Sequence, residues 1–280
     1  MLRHAPLPLL LLLLTAPLPY PGTSSQRETL PSLRTSGTSK LSLLLHLAIL
    51  DAASSSRYPL QFNAYHVQGL AIVDTLLFVT AVDRIHRRGW LFQVHRASGR
   101  LLRAVELTEG PRIHPGGLSF DGRWLWIPNA TYDAHGSTRI LAISPQDLSV
   151  HHSFIVHHHV SLLAADNQGR LYGTDWNSQY FFVWNAEGQL LARIPSPTDV
   201  AYQDCKMIET YLLCGGYRGL WKGVIDLFDP ENWHLVHRIL AGRTRWGWPL
   251  TREGLALYGD TLYLLPYDGQ GELLAFSLSG

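Results

Sequence analysis

A chain of 280 residues with 46% hydrophobic content can bury a substantial core. Its 23 Lys and Arg nearly cancel its 22 Asp and Glu, and a net charge of +1 without a basic run argues against a nucleic-acid surface. Nine Trp, twelve Tyr and 24 Gly against two Met, with no long apolar pattern of helical period, exclude an all-helical protein and indicate an all-β fold with many tight turns.

Residues 1–20 read as a signal peptide: an early Arg3, an apolar run through Leu14 and a small Ala16. Residues 21–40, rich in Ser, Thr and Pro, read as a flexible lead. No later run reaches the roughly eighteen apolar residues that a membrane-spanning helix needs, so the mature chain is expected to have no membrane span and to be secreted or periplasmic. Residues 41–280 are then expected to form one domain.

That domain repeats. A unit of two short apolar strands around an Asp, Gly or Asn turn begins at Tyr65 (YHVQGLAIVDTLLFVTAV), Ile113 (IHPGGLSFDGRWLWIPNA), His158 (HHVSLLAADNQGRLYGTDW) and Thr251 (TREGLALYGDTLYLLPYD), with a weaker copy at Pro197. A second hairpin follows each copy, such as WLFQVHRASGRLLRAVEL. The last, GELLAFSLSG, stops after one strand. Aligning Gly69, Gly117, Leu162, Asp199 and Gly254 gives intervals of 48, 45, 37 and 55 residues, near the period of about 40–50 expected for four-stranded propeller blades. The pattern predicts a five-bladed β-propeller closed by an N-terminal strand, for which KLSLLLHLAIL at Lys40–Leu50 is the candidate. A six-bladed propeller is the alternative, because the longest interval has room for a degenerate blade.

The repeat places chemistry. In an up-and-down blade the start of the first strand and the end of the second share a face, so His66, His114 and His159 fall in one column, completed by Ser196 and Thr251. Asp83, Asp133, Asp175, Arg218 and Asp268 leave the second strands on that face, and Glu253 enters from the fifth repeat. Three imidazoles on separate strands match a ligand set for one divalent metal, zinc or calcium, with Glu253 or Asp175 as general base for a bound water. The plainer reading is that each His hydrogen-bonds a neighbouring backbone carbonyl. Without a metal, Tyr132, Trp176, Arg218, Trp246 and Asp268 are the candidate ligand-binding residues of the same face. The segment RTRWGWPLTREG, residues 243–254, gathers Arg and Trp in a way suited to stacking on a sugar ring or to packing between blades.

Cys205 and Cys214 are the only cysteines, and a turn near Glu209–Thr210 would set them opposite each other, so a disulfide is expected if the protein is exported, with two buried free thiols as the alternative. Asn129-Ala130-Thr131 is a glycosylation sequon. There is no HExxH, phosphate loop, GxGxxG after a strand or GxSxG elbow.

At HVQGLAIV, RGWLFQVHRASGRLL, HPGGLSFDGRWLWIPNA, YQDC and GVIDLFD the chain resembles a family of secreted propeller-like proteins known only as a domain of unknown function. The resemblance covers about residues 60–265 and implies a propeller and export, with no catalytic residue to carry over. More distantly the chain is similar to lactonase and gluconolactonase-type propellers, which hold a divalent cation, often Ca²⁺, on the axis with Glu, Asn and Asp ligands. This chain offers His there instead. The expected function is therefore an exported propeller, a monomer, that binds a small molecule or a protein on the face around the axis. The alternative is a metal-assisted hydrolase or lactonase acting on a small ester, lactone or sugar derivative.

Overall fold

The computed structural model describes residues 39–219 and 221–279. The expected signal peptide at 1–20 and residues 21–38 of the expected lead lie outside the described residues.

Turn chemistry sets the hairpins. Asp74 and Glu209 take positive φ values of 54° and 56°, the left-handed backbone that tight two-residue hairpin turns require. The hairpins build five antiparallel sheets of four main strands each. The first holds His66–Val73, Leu76–Asp83, Arg88–His95 and Arg100–Glu106. The second runs from Arg112–Pro115, continued by Ser119–Phe120, through Leu125–Thr131 and Thr138–Ile143 to Val150–Val156. Leu162–Ala165, Arg170–Thr174, Tyr180–Asn185 and Leu190–Pro195 make the third; Ala201–Ile208, Tyr211–Arg218, Lys222–Asp229 and His234–Ala241 make the fourth. In the fifth, Gly254–Tyr258, Thr261–Leu265 and Glu272–Ser277 take Ser56–Pro59 as their outer strand. Five blades, not six, form the β-propeller.

Closure by an N-terminal strand holds, but with a different strand. Ser56–Pro59 pairs antiparallel with Glu272–Ser277, whereas Lys40–His46 is a helix capped by the Ser39 side chain, which accepts the N–H of Ser42 at 3.1 Å. Apolar runs of this length do not distinguish a buried helix from a strand. Leu44 buries against the fourth and fifth blades. Ile49–Leu50 then adds in parallel to the outer edge of the fourth blade.

Inner strands are apolar on both faces because they are packed between blades. Leu76–Asp83 is buried at every position after the first, while Arg100–Glu106 at the rim is mostly exposed. Between the first two blades, Phe78 and Leu91 pack with Leu125, Ile127 and Leu141. Near the axis the backbones almost touch. A Cβ on Gly69 would lie 2.5 Å from the Gly117 Cα, so this position excludes any side chain. The hydroxyls of Thr80 and Ser178 link neighbouring blades there, Thr80 donating to Gly116 O at 2.7 Å and Ser178 accepting Tyr202 N–H at 3.0 Å.

The fourth repeat aligns differently from the sequence expectation. Register shifts between Val67 and Gly69 and between Tyr202 and Asp204 leave Gln68 and Gln203 as equivalent bulged residues. Asp204, not Asp199, is therefore the counterpart of Gly69, and Ala201, not Ser196, that of His66. The intervals become 48, 45, 42 and 50 residues, which removes the room for a sixth blade.

Candidate functional site at the propeller axis

Strand entries and bulges converge on one face to form a cleft of about 160 Å³ at the axis. The bulges matter because a bulge re-aims its side chain: Gln68 and Gln203 both line the cleft. His66, His114 and Ser161 come from strand entries, and Tyr132, Trp176 and Tyr217 wall it. Asn177, one residue beyond Trp176, contributes a third amide.

The three histidines of the expected column have separate partners. His66 Nδ1 lies 3.0 Å from Asp268 Oδ1 and 3.8 Å from Glu253 Oε1. His114 donates from Nε2 to Gln68 Oε1 at 2.6 Å. His159 donates from Nδ1 to the carbonyls of Thr131 and Asp133, both at 3.1 Å, as the plainer reading anticipated. The rings of His114 and His159 sit 5.2 Å apart, and both lie against Trp176, with centroids 5.6 and 4.5 Å from its ring. Burial lowers both pKa values, His159 to about 4 and His114 well below the ordinary imidazole value. Each therefore stays neutral at pH 7. His114 Nδ1 and His159 Nε2 have no protein partner among the described residues. Of the described residues, those whose ligand atoms gather closely enough to hold a metal are His66, Glu253 and Asp268, all within 4.8 Å of one another. The column thus splits, with one histidine joining two carboxylates and two joining an aromatic wall.

The carboxylates are matched by guanidinium groups. Glu253 is 3% exposed, and burial drives its pKa well above the usual carboxylate value, opposed by the charge of Arg252, whose Nε is 3.3 Å away. Burial also acts to raise Asp268, but the His66 hydrogen bond and the charges of Arg252 and Arg84 outweigh it and hold its pKa low. Arg84 and Arg252 reach Asp268 Oδ2 at 3.5 and 3.4 Å.

The remaining expected residues scatter. Asp175 accepts the N–H groups of Gln179 and Tyr180 and closes the turn after Trp176. Arg218 forms a two-point pair with Asp199 in a separate basin farther from the axis, and Trp246 stands 67% exposed on the loop before the fifth blade. Cys205 and Cys214 form the disulfide, paired directly across their hairpin. The sequon is not available in the folded chain, because Asn129 is 1% exposed and its amide donates to Leu107 O at 2.6 Å.

Sequence reasoning missed Gln68 and Gln203. Their signal was present: HVQGL and YQDC superpose once Asp204 is set against Gly69. It also missed the plug beneath the cleft. Asp204, fully buried, accepts Leu70 N–H and Leu255 N–H at 3.0 Å each on one oxygen and pairs through the other with the buried Lys206. Burial pushes the Asp204 pKa up to about 6, with Lys206 opposing, and lowers that of Lys206.

The sequence matches DUF6454, a family of unknown function, over residues 51–220, and the chain belongs to that family. No curated protein matches it. Among solved structures it is similar to the glutaminyl cyclase of Myxococcus xanthus, at 16% identity and a TM-score of 0.59, covering 79% of this chain and 93% of that one. It is also similar to the tail fibre of Staphylococcus aureus phage P68, at 8% identity and a TM-score of 0.54, covering 82% of this chain and 54% of that one. Likeness at this level is likeness of fold.

Proposed function

We propose that this propeller is an exported protein that binds one small, uncharged, hydrogen-bonding molecule in its axial cleft. The observation that carries the reading is the convergence of Gln68, Gln203 and Asn177 with neutral His114 beneath Trp176, Tyr132 and Tyr217. Amides offer donors and acceptors without charge, and the indole and phenol rings supply a flat apolar wall. The nearby carboxylates already face Arg84 and Arg252, so a charged ligand would lose hydration without gaining a free counter-charge. At about 160 Å³ the cleft is smaller than the roughly 300–1,000 Å³ of sites for drug-sized ligands, which suits a molecule the size of one sugar ring. Export is supported by the apolar leader and by the Cys205–Cys214 disulfide, a bond that persists in oxidising compartments.

Titration calorimetry with neutral monosaccharides and small amides tests the reading. Binding that disappears in Gln203→Leu and persists in Trp246→Ala supports it. Equal binding in wild type and Gln203→Leu sinks it.

A metal-assisted hydrolase is the second reading, favoured by the gathering of His66, Glu253 and Asp268. Two guanidinium groups beside those carboxylates work against a cation. One equivalent of tightly held metal in protein purified without a His tag, lost in His66→Ala, would put this reading first.

A further inference from the structure

A second concave site lies on the same face, away from the axis, and the axial reading leaves it unexplained. Asp199, Arg218, Trp221, Lys222 and Arg243 line a basin of about 440 Å³. Trp221 stacks on Trp248 from the loop entering the fifth blade, with ring centroids 5.1 Å apart. Trp221 and Trp248 remain 41% and 40% exposed, and Trp246 on the same loop 67%. Two stacked indoles left this exposed cost solvation that the fold does not require. The charges are uneven. Arg218 is neutralised by the two-point pair with Asp199. Lys222 and Arg243 have no carboxylate within ion-pairing distance among the described residues, although Arg243 lies over the Trp221 ring at 6.0 Å.

We propose that this basin binds an anionic sugar, a pyranose carrying a carboxylate or a sulfate, with Trp221 as the stacking plate and Lys222 and Arg243 as the anion partners. An indole face, rich in electron density, attracts the C–H groups along one face of a sugar ring. Arg matches a carboxylate or sulfate through two parallel N–H groups, and Lys supplies a point charge. The shape narrows the choice. A basin closes around a ring or two, whereas a membrane surface is met by projecting side chains. A nucleotide would share the stacking and the charge, so ATP is carried as a competing arm of the test.

The full chain is tested by titration calorimetry against trigalacturonate, a heparin tetrasaccharide and neutral maltotriose, at 50 and 300 mM salt. The expected result is binding of one or both anionic sugars, at least tenfold tighter than maltotriose and weakened by salt, and reduced at least tenfold in Lys222→Gln/Arg243→Gln. Preference for trigalacturonate assigns a carboxylate, and preference for the heparin fragment a sulfate. Gln203→Leu should leave this binding unchanged, which separates it from events in the axial cleft. The proposal is overturned if neither anionic sugar binds, if the double variant binds equally well, or if ATP or phosphatidylserine vesicles bind the basin more tightly than either sugar.

Discussion

The carboxylate of Asp204, in the inner strand of the fourth blade, accepts the backbone N–H of Leu70 in the first blade at 3.0 Å, across 134 residues of sequence. The same oxygen takes the N–H of Leu255 in the fifth blade at 3.0 Å. One side chain therefore satisfies inner-strand donors of two other blades, and Lys206 balances its charge. Removing one partner of a buried pair leaves an uncompensated charge, at a cost of about 3–5 kcal/mol. Asp204→Ala should lose about that much in urea unfolding. Lys206→Met should lose less, since Asp204, already pushed up to about 6, can take a proton. A double variant with additive losses would show that the two side chains act separately.

Glycine contacts at the axis give a second contrast. Gly69→Ala places a Cβ 2.5 Å from the Gly117 backbone, which has no room to yield. Gly110 has nothing within 4 Å and a φ of +56°, so Gly110→Ala strains only its own backbone. Thermal unfolding should show the second losing about 1–2 kcal/mol and the first clearly more. Equal losses would mean that the blades are not in contact at Gly69.

His159 gives stability a pH dependence whose sign is fixed. Its pKa falls from 6.5 to about 4 on folding. As pH drops through 6.5 the unfolded chain takes up a proton that the folded chain refuses until about 4, so stability is lost across that window, by about 3 kcal/mol at most. Glu253 contributes the opposite slope: its raised folded pKa supports the fold below 4.5 and withdraws that support as pH rises through the folded value. The comparison is therefore between wild type and His159→Gln, unfolded in urea from pH 7 to pH 4. The wild type should fall more steeply; parallel slopes would show that His159 titrates freely in the folded protein.

Reduction of the disulfide is the fourth test. Cys205 and Cys214 are separated by 9 residues and fully buried. A loop of that size stabilises by about 2–3 kcal/mol through restriction of the unfolded chain. The Cys205→Ala/Cys214→Ala protein should unfold at correspondingly lower urea and keep its fold. No change in midpoint would indicate that the thiols are not bridged in the isolated protein.

Much of this architecture was legible in the sequence because propeller blades repeat their turn chemistry. The hairpin at Glu209–Thr210 and the cysteine pair followed from spacing alone. The closing strand did not, because LSLLLHL satisfies helix and strand alike, and the deciding feature was the Ser39 cap. Tyr132, Trp176, Asp268 and Glu253 were found at or beside the axis because they lie at strand ends. Gln68 and Gln203 were missed because a bulge breaks the two-residue alternation that a sequence reading follows. Arg218 and Trp246 share the face but not the cleft, a distance in the plane of the face that the repeat does not encode.

The pairing of Ser56–Pro59 with Glu272–Ser277 ties two segments from opposite ends of the described chain. During synthesis the first of these emerges more than two hundred residues before its partner exists. Throughout that interval the strand is an unsatisfied edge, and the ring is an open arc. Closure of the ring therefore waits on synthesis of Glu272–Ser277, and a nascent chain stalled before Glu272 would expose the sheet edges that the finished ring conceals.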